Sequence, residues 1–437
     1  MNYPVWEIPY LGGASLIALI ATAHVVLAHL AVGGSLFLVL MERKATRDRD
    51  PRILAYLRQH ARLFFFITLV PGALSGVGIW FSIGLVSPWA TSSLIHIFVW
   101  AWATEWALFL LEIVAALIYY YGWDRLSQPI HLRVGWIYFV AAWGSLAVVN
   151  GILTFMLTPG DWLRTRSMRD AFFNPGMLPS LFLRTLVCLA LAGLFGLVTA
   201  SRLRPPDLRR VMVKASARWL LPSFLLLPVG AVWLLARIPE GARRIALGGA
   251  PVVLILLFAS VVTSMVLFLF AWLGPYRDPA SLTTVYALLF VALGFFATAT
   301  TEWAREAVRK PYLLYGYMYS NGFLEGEDLK FREGGILDKA RFVLPTGADP
   351  VARGREVFRL VCEPCHTIHG YNGVAPLVRG WSADYTEGQL RHLNTLKGFM
   401  PPFIGSEAER RSLARWLAAL NGGSPAGGSD GGTRTNP

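Results

Sequence analysis

Eight stretches of the chain are apolar almost without interruption: residues 14–41, 64–86, 93–121, 134–158, 178–200, 217–236, 246–274 and 281–304. Crossing a hydrocarbon core as a helix takes about 20 residues, and each stretch is long enough. Backbone groups in lipid must be satisfied within each segment, so the pattern predicts an all-α, polytopic membrane helix bundle of about eight transmembrane helices. The first run continues far past the short apolar core of a cleavable leader and has no basic segment before it, so it is expected to stay as an anchor. After the eighth run the pattern changes. Residues 312–346 mix polar and aromatic positions and read as a linker, and 347–421 read as a small soluble all-α domain. The stretch 422–437 is rich in Gly and Ser, the composition of a disordered tail. The expected organisation is thus a membrane domain over 1–311, the linker, the small domain and the tail.

Composition agrees with a membrane protein. Hydrophobic residues make up 55% of the 437 and charged residues only 15%, where a soluble protein carries about a quarter. An ordinary cytosolic enzyme, a disordered chain and a disulfide-built secreted protein are excluded. The net charge of +13 raises the question of nucleic acid. The basic residues are spread over the loops, however, and not gathered on one domain. Loops after helices one, three, five and seven hold sixteen Lys and Arg, and the opposite loops hold seven. That bias places the first set in the cytoplasm. The N-terminus and everything beyond residue 305 are then expected on the outer, periplasmic face of a bacterial inner membrane, with no nucleic-acid partner.

Three cysteines are present. Cys188 lies inside an apolar run and reads as a buried small hydrophobe. The other two form Cys362-Glu363-Pro364-Cys365-His366, the C-x-x-C-H signature of covalent haem c. Two thiols add to the haem vinyl groups and the adjacent His supplies one axial nitrogen. A zinc or redox CxxC is the alternative, and the trailing His favours haem. Gly398-Phe399-Met400-Pro401-Pro402 offers Met400 as the second axial ligand, and a thioether opposite His raises the potential of a cytochrome c. The surroundings resemble a small class I cytochrome c, with one helix opening at Ala352–Phe358 and an amphipathic one closing at Ser406–Leu420. His369 and His392 read as surface residues. Haem c is attached outside the cytoplasmic membrane, which is the side the Lys/Arg bias assigns independently.

Ionisable residues also fall inside the apolar runs. His24 and His29 lie in helix one, Glu105 and Glu112 in helix three, and His96 near the outer end of helix three. Glu302, Arg305, Glu306 and Arg309 cluster at the outer end of helix eight. Such groups are costly in lipid and mark either haem and proton chemistry or interhelical hydrogen bonding. Glu105 and Glu112 are seven apart, two turns, and share one helix face. His29 is five residues from His24, roughly 140° around the helix, so the two do not face one iron. His29 and His96 are each either a ligand to an additional haem or a hydrogen-bonded bundle histidine.

Several of these residues sit in segments that resemble subunit I of the cytochrome bd quinol oxidases. The segments are His24-Val25-Val26-Leu27 with Gly33 following, Glu105 with Glu112, Tyr121-Gly122-Trp123-Asp124-Arg125-Leu126-Ser127, Asn150-Gly151 and Glu306-Ala307-Val308-Arg309-Lys310-Pro311-Tyr312. The likeness runs over most of residues 14–315, and Gly-Trp-Asp-Arg-Leu is its most specific piece. It implies that His24 is the axial ligand of one haem in an outer-facing di-haem site and Glu306 the carboxylate ligand of the other. Glu105 and Glu112 would line that site and its proton path as catalytic residues. Arg309 would pair with a haem propionate or with nearby carboxylates.

The departures bear on one function. The family's remaining haem b, which takes electrons from quinol, is held by a His in helix five and a Met in helix seven. Here Arg184 stands at the first place, and Ile245-Ala246-Leu247-Gly248 offers no Met at the second. The external quinol loop shrinks to about Arg237–Gly248, the ninth helix is missing and the cytochrome c domain stands in its place. The two glutamates are seven apart where the family has eight.

The expected function is therefore a respiratory electron-transfer haemoprotein, a bd-type oxidoreductase that has exchanged quinol input for a tethered cytochrome c. Electrons would move between haem c and intramembrane b- or d-type haems, reducing O2 or another small oxidant such as NO. The expected cofactors are covalent haem c with one or two haem b, or haem b plus haem d. The expected partners are the membrane, periplasmic electron-transfer proteins and a second membrane subunit. A non-catalytic conduit in a larger respiratory complex, and a bare anchor for cytochrome c, are the alternatives.

Overall fold

The computed structural model describes residues 5–396 and 398–420; the tail expected over 422–437 lies outside the described residues. Eight helices are long and apolar enough to cross a membrane: α1 (Gly13–Asp48), α2 (Pro51–Val86), α3 (Val99–Gly122), α4 (Gln128–Phe155), α5 (Met177–Ser201), α6 (Pro206–Arg237), α7 (Pro251–Tyr276) and α8 (Thr284–Ala307). Each overlaps one of the eight apolar runs, and among the helix starts those of α2, α3, α4 and α6 differ most. Helix α2 starts well before residue 64 because a capped amphipathic segment precedes its apolar part. The Asp50 side chain accepts from the Arg52 N–H at 2.9 Å and Pro51 opens the first turn. The third run breaks at Phe98, which leaves helical geometry (φ −117°, ψ 31°) and turns its ring against Phe155 at 5.1 Å. His96 therefore belongs to a short helix, Pro88–Ile97, and not to α3.

The chain divides into two units. One gathers Ala18–Phe81 and Ser92–Arg309; the other joins the N-terminal stretch through Ile17, Ser82–Thr91 and the chain from Lys310 on. In the first unit α5 is the central helix, with most of its span buried. It crosses α1 so closely that a Cβ on Gly33 would lie 1.8 Å from the Cys188 carbonyl oxygen. Cys188 is 1% exposed, as its apolar setting predicts. Large side chains such as Trp100, Trp106, Phe258 and Val285 stay exposed on the outer helix faces, the arrangement that lipid requires.

In the second unit a short antiparallel hairpin, β1 (Tyr312–Leu314) with β2 (Met318–Tyr319), leads to α9 (Asp328–Gly334). Then follow α10 (Pro350–Val361), α11 (Ala383–Arg391) and α12 (Glu407–Ala419). Asp349 caps α10 through the N–H groups of Val351 and Ala352, and Ser406 with Glu409 forms a capping box on α12. Residues 336–344 of the stretch read as a linker are bound into this unit. The buried Glu409 carboxylate accepts from Ile336 N at 2.9 Å and Leu337 N at 2.8 Å. The buried Glu356 carboxylate accepts from Leu344 N at 2.8 Å. Ile336 is 1% exposed in the unit's hydrophobic cluster.

Helices α10 and α12 cross at Gly354, where a Cβ would come 2.0 Å from the Ser412 carbonyl oxygen. Gly354→Ala must push backbone against backbone. It is expected to cost this unit about 3 kcal/mol or more, read as a thermal-melting midpoint lowered by ~10 °C or more.

Candidate functional site: a CxxCH turn and a buried charge chain

Helix α10 ends at Val361, and the next turn carries the attachment motif. The N–H groups of Cys365 and His366 both donate to the Cys362 carbonyl, at 3.0 and 2.9 Å, which folds the two thiols and the imidazole into one turn. Both thiols are free. His366 Nδ1 lies 2.9 Å from the Asn372 carbonyl oxygen and donates to it, so Nε2 keeps its lone pair. Asn372 is itself anchored by donating to the Cys365 carbonyl at 2.8 Å. Burial holds the His366 imidazole below the usual histidine range, so it is neutral at pH 7. Burial also pushes the Cys362 thiol up to about 12. Among the described residues no group of three His, Cys, Asp or Glu side chains is arranged to hold a bare metal ion. Met400 lies half-buried on the irregular stretch between α11 and α12.

Burial and the neighbouring Glu7 carboxylate push Glu363, between the two cysteines, up to about 7. Its negative charge forms as pH rises through that value and stabilises an oxidised, more positive iron. The midpoint potential of haem c is therefore expected to fall as pH rises through about 7, and Glu363→Gln to flatten that slope in a redox titration.

In the membrane unit the sequence-named residues fall into two groups. His24 on α1 places Nδ1 3.2 Å from Ser75 Oγ of α2, which leaves Nε2 available. Gly76 makes room for the ring, since a Cβ there would be 3.2 Å from His24 Cε1. At the end of α8, Arg309 is 3% exposed and hydrogen-bonds the Glu306 carboxylate. Between these ends runs a buried charge chain. Arg184 of α5 points Nη1 at His29 Nε2 (3.4 Å) and Nη2 at Glu302 (3.8 Å). Arg305 holds the same Glu302 from the other side at 2.8 Å. His29 is within electrostatic reach of His24, and Arg305 of Glu306, so the chain joins both proposed ligand positions. His29 Nδ1 donates to the Val25 carbonyl at 2.7 Å, so both of its nitrogens are engaged. His96 lies exposed, with Nδ1 bonded to the Ser92 carbonyl at 2.7 Å. Glu105 and Glu112 lie half-buried on α3, and Glu105 accepts from Ser145 Oγ at 3.1 Å.

A family model described as cytochrome bd terminal oxidase subunit I matches residues 15–263, more than half of the chain. The chain belongs to this family. In this bd-family chain a second model, described as cytochrome c oxidase, cbb3-type, subunit III, matches residues 349–417. The fold is similar to that of the bd oxidase from Geobacillus thermodenitrificans, with TM-score 0.60 and 18% identity over 70% of this chain and 88% of that one. No curated protein sequence matches the chain. It is thus a membrane, oxidase-like respiratory haem protein with a cytochrome c domain, built as an all-α bundle of spanning helices.

The sequence reading of this bd-family chain missed a buried trio at the ends of α1, α3 and α4. Glu42, Tyr119 and His131 are 2%, 1% and 3% exposed. Glu42 stands beside Arg43 and Lys44 and reads as a solvated loop residue. The available signal was spacing: Tyr119 continues the seven-residue step of Glu105 and Glu112.

Proposed function

We propose that this chain is the haem-bearing subunit of a bd-type terminal reductase whose electrons arrive through its own cytochrome c domain instead of from quinol, and whose oxidant is O2. The observation that carries this reading is the engagement of Arg184. The residue at the place of the quinol-side haem ligand cannot ligate iron, and it is tied to His29 and Glu302 across three helices. Quinol input is therefore replaced, while the residues of the outer di-haem site remain.

Cys362 and Cys365 would hold haem c, with His366 and Met400 as axial ligands. His24 and Glu306 would hold membrane haem of the b type, alone or with haem d, and Arg309 would orient it through a propionate. When bound, haem iron carries the electrons and supplies the centre at which O2 is reduced. Glu105 and Glu112 deliver protons to that side of the membrane, with the Ser145 hydroxyl fixing the Glu105 carboxylate. The N-terminus and the cytochrome c domain face the periplasm, where a soluble electron-transfer protein docks, and a second membrane subunit covers the exposed apolar faces.

The test is a reduced-minus-oxidised spectrum of the detergent-purified protein, with and without CO. A c signal plus b or d bands that shift with CO is the expected result. Bands of the b type unmoved by CO would establish an electron conduit, and a c signal alone an anchor.

A further inference from the structure

The buried charge chain across α1, α5 and α8 does not balance. Among the described residues it holds three guanidinium groups, Arg184, Arg305 and Arg309, against two carboxylates, Glu302 and Glu306. Glu302 lies between Arg305 at 2.8 Å and Arg184 at 3.8 Å, and Glu306 accepts from Arg309. His29 adds no charge. Its Nδ1 donates to the Val25 carbonyl, so the Nε2 that meets Arg184 Nη1 at 3.4 Å carries a lone pair and accepts. Arg309 Nη1 donates to the Met156 sulfur at 3.2 Å, a weak and uncharged acceptor. Three cations against two anions leave one net positive charge inside the bundle.

That excess sits where water does little to disperse it. The Arg184 and Glu302 side chains are each 12% exposed, and Arg309 only 4%. A charge so placed is screened far less than one at a surface. Along α8, Glu302 stands one turn before Glu306, and Arg305 is the immediate neighbour of Glu306. Along α1, His29 follows His24 by five residues. The side chains that hold Arg184 therefore adjoin both positions proposed to ligate membrane haem. The charge is also permanent, because a guanidinium keeps its proton at every physiological pH.

We infer that Arg184 sets the working potential of the membrane haem, raising it to a level at which electrons pass to it readily from a His/Met-ligated haem c. The inference rests on the function proposed above, in which His24 and Glu306 hold that haem. Loss of an electron makes haem iron one unit more positive, and a nearby buried cation opposes that step. The oxidised form is disfavoured and the midpoint potential rises. The direction suits the donor. A thioether opposite His366 gives haem c a high potential, and an acceptor far below it would be mismatched to that donor. Arg184 is the tuning group because it is the cation in excess: Arg305 balances Glu302 and Arg309 balances Glu306 without it.

The test is a spectroelectrochemical titration of detergent-purified, full-length holoprotein that follows haem c and the b or d bands separately. Arg184→Gln removes the charge and keeps a hydrogen-bond donor for His29, and it is expected to lower the membrane-haem midpoint. The expected shift is about tenfold in the electron-sharing equilibrium between the two haems, or ~59 mV for one electron, with the haem c midpoint unmoved. Glu302→Gln removes an anion from the same cluster and is expected to move the membrane-haem midpoint upward. Arg184→Lys keeps the charge without the planar fork and is expected to stay near the wild type. Opposite shifts from the two partners of one ion pair report charge, since lost packing would move both the same way. Unmoved midpoints, shifts of one sign in both Gln variants, Lys behaving as Gln, or loss of the membrane haem in all three variants would overturn the inference. A wild type without b or d bands sinks the proposed function and this inference with it; bands that are present but indifferent to both charges sink the inference alone.

Discussion

Cys362→Ala with Cys365→Ala is expected to abolish covalent haem: the wild type should keep peroxidase-active haem through a denaturing gel, and the double variant none. The two thiols are the only atoms that can form thioethers in a turn whose geometry is set by the Cys362 carbonyl accepting from Cys365 N and His366 N. Without them the single axial nitrogen of His366 would have to retain the group, and denaturation removes that bond. His366→Ala should be as damaging by another route, because the Asn372 carbonyl holds this imidazole so that Nε2 is free for iron. The membrane haem bands should survive in all three variants, since the membrane unit has its own core. Retention of covalent haem in the double variant would show the attachment assignment to be wrong.

His24→Ala is expected to remove one b- or d-type haem per chain while haem c remains in full. His24 is held by Ser75 Oγ through Nδ1 and has Gly76 against its ring, so loss of the imidazole leaves no replacement donor from those two residues. His29, the nearest imidazole along α1, is committed to the Val25 carbonyl and to Arg184. The measurement is a pyridine haemochrome count of non-covalent against covalent haem. A wild-type ratio in the variant would refute transfer of the ligand role to His24. Arg309→Ala should have a graded effect, because it removes the partner of Glu306 and not a proposed iron donor.

The eight spans were legible because lipid leaves a helix no external hydrogen-bond partner, so every crossing must be a long apolar run. An expected orientation could be drawn from Lys and Arg because loop charge responds to the membrane and not to packing. The haem c motif was legible because thioether chemistry and axial ligation dictate both residue types and spacing over five consecutive residues. Sequence could also show that Arg184 stands where a quinol-side ligand is expected, since that needs only position.

Sequence could not show what Arg184 binds. Its partners, His29 and Glu302, lie 155 and 118 positions away on other helices, and only the packing of α1, α5 and α8 brings them within 4 Å. The same holds for Glu42, which looks solvated beside Arg43 and Lys44 yet is sealed by Tyr119 and His131. The stretch 312–346 lacks strong periodicity, and its order comes from backbone N–H groups bound to Glu356 and Glu409, carboxylates far along the chain. By itself, then, the sequence determined the membrane-crossing helices and displayed the C-x-x-C-H motif, the first set by the solvent and the second by local chain chemistry. Only the tertiary structure decided how the charges inside the bundle are paired, because a buried charge takes its partner from whichever helix packs beside it.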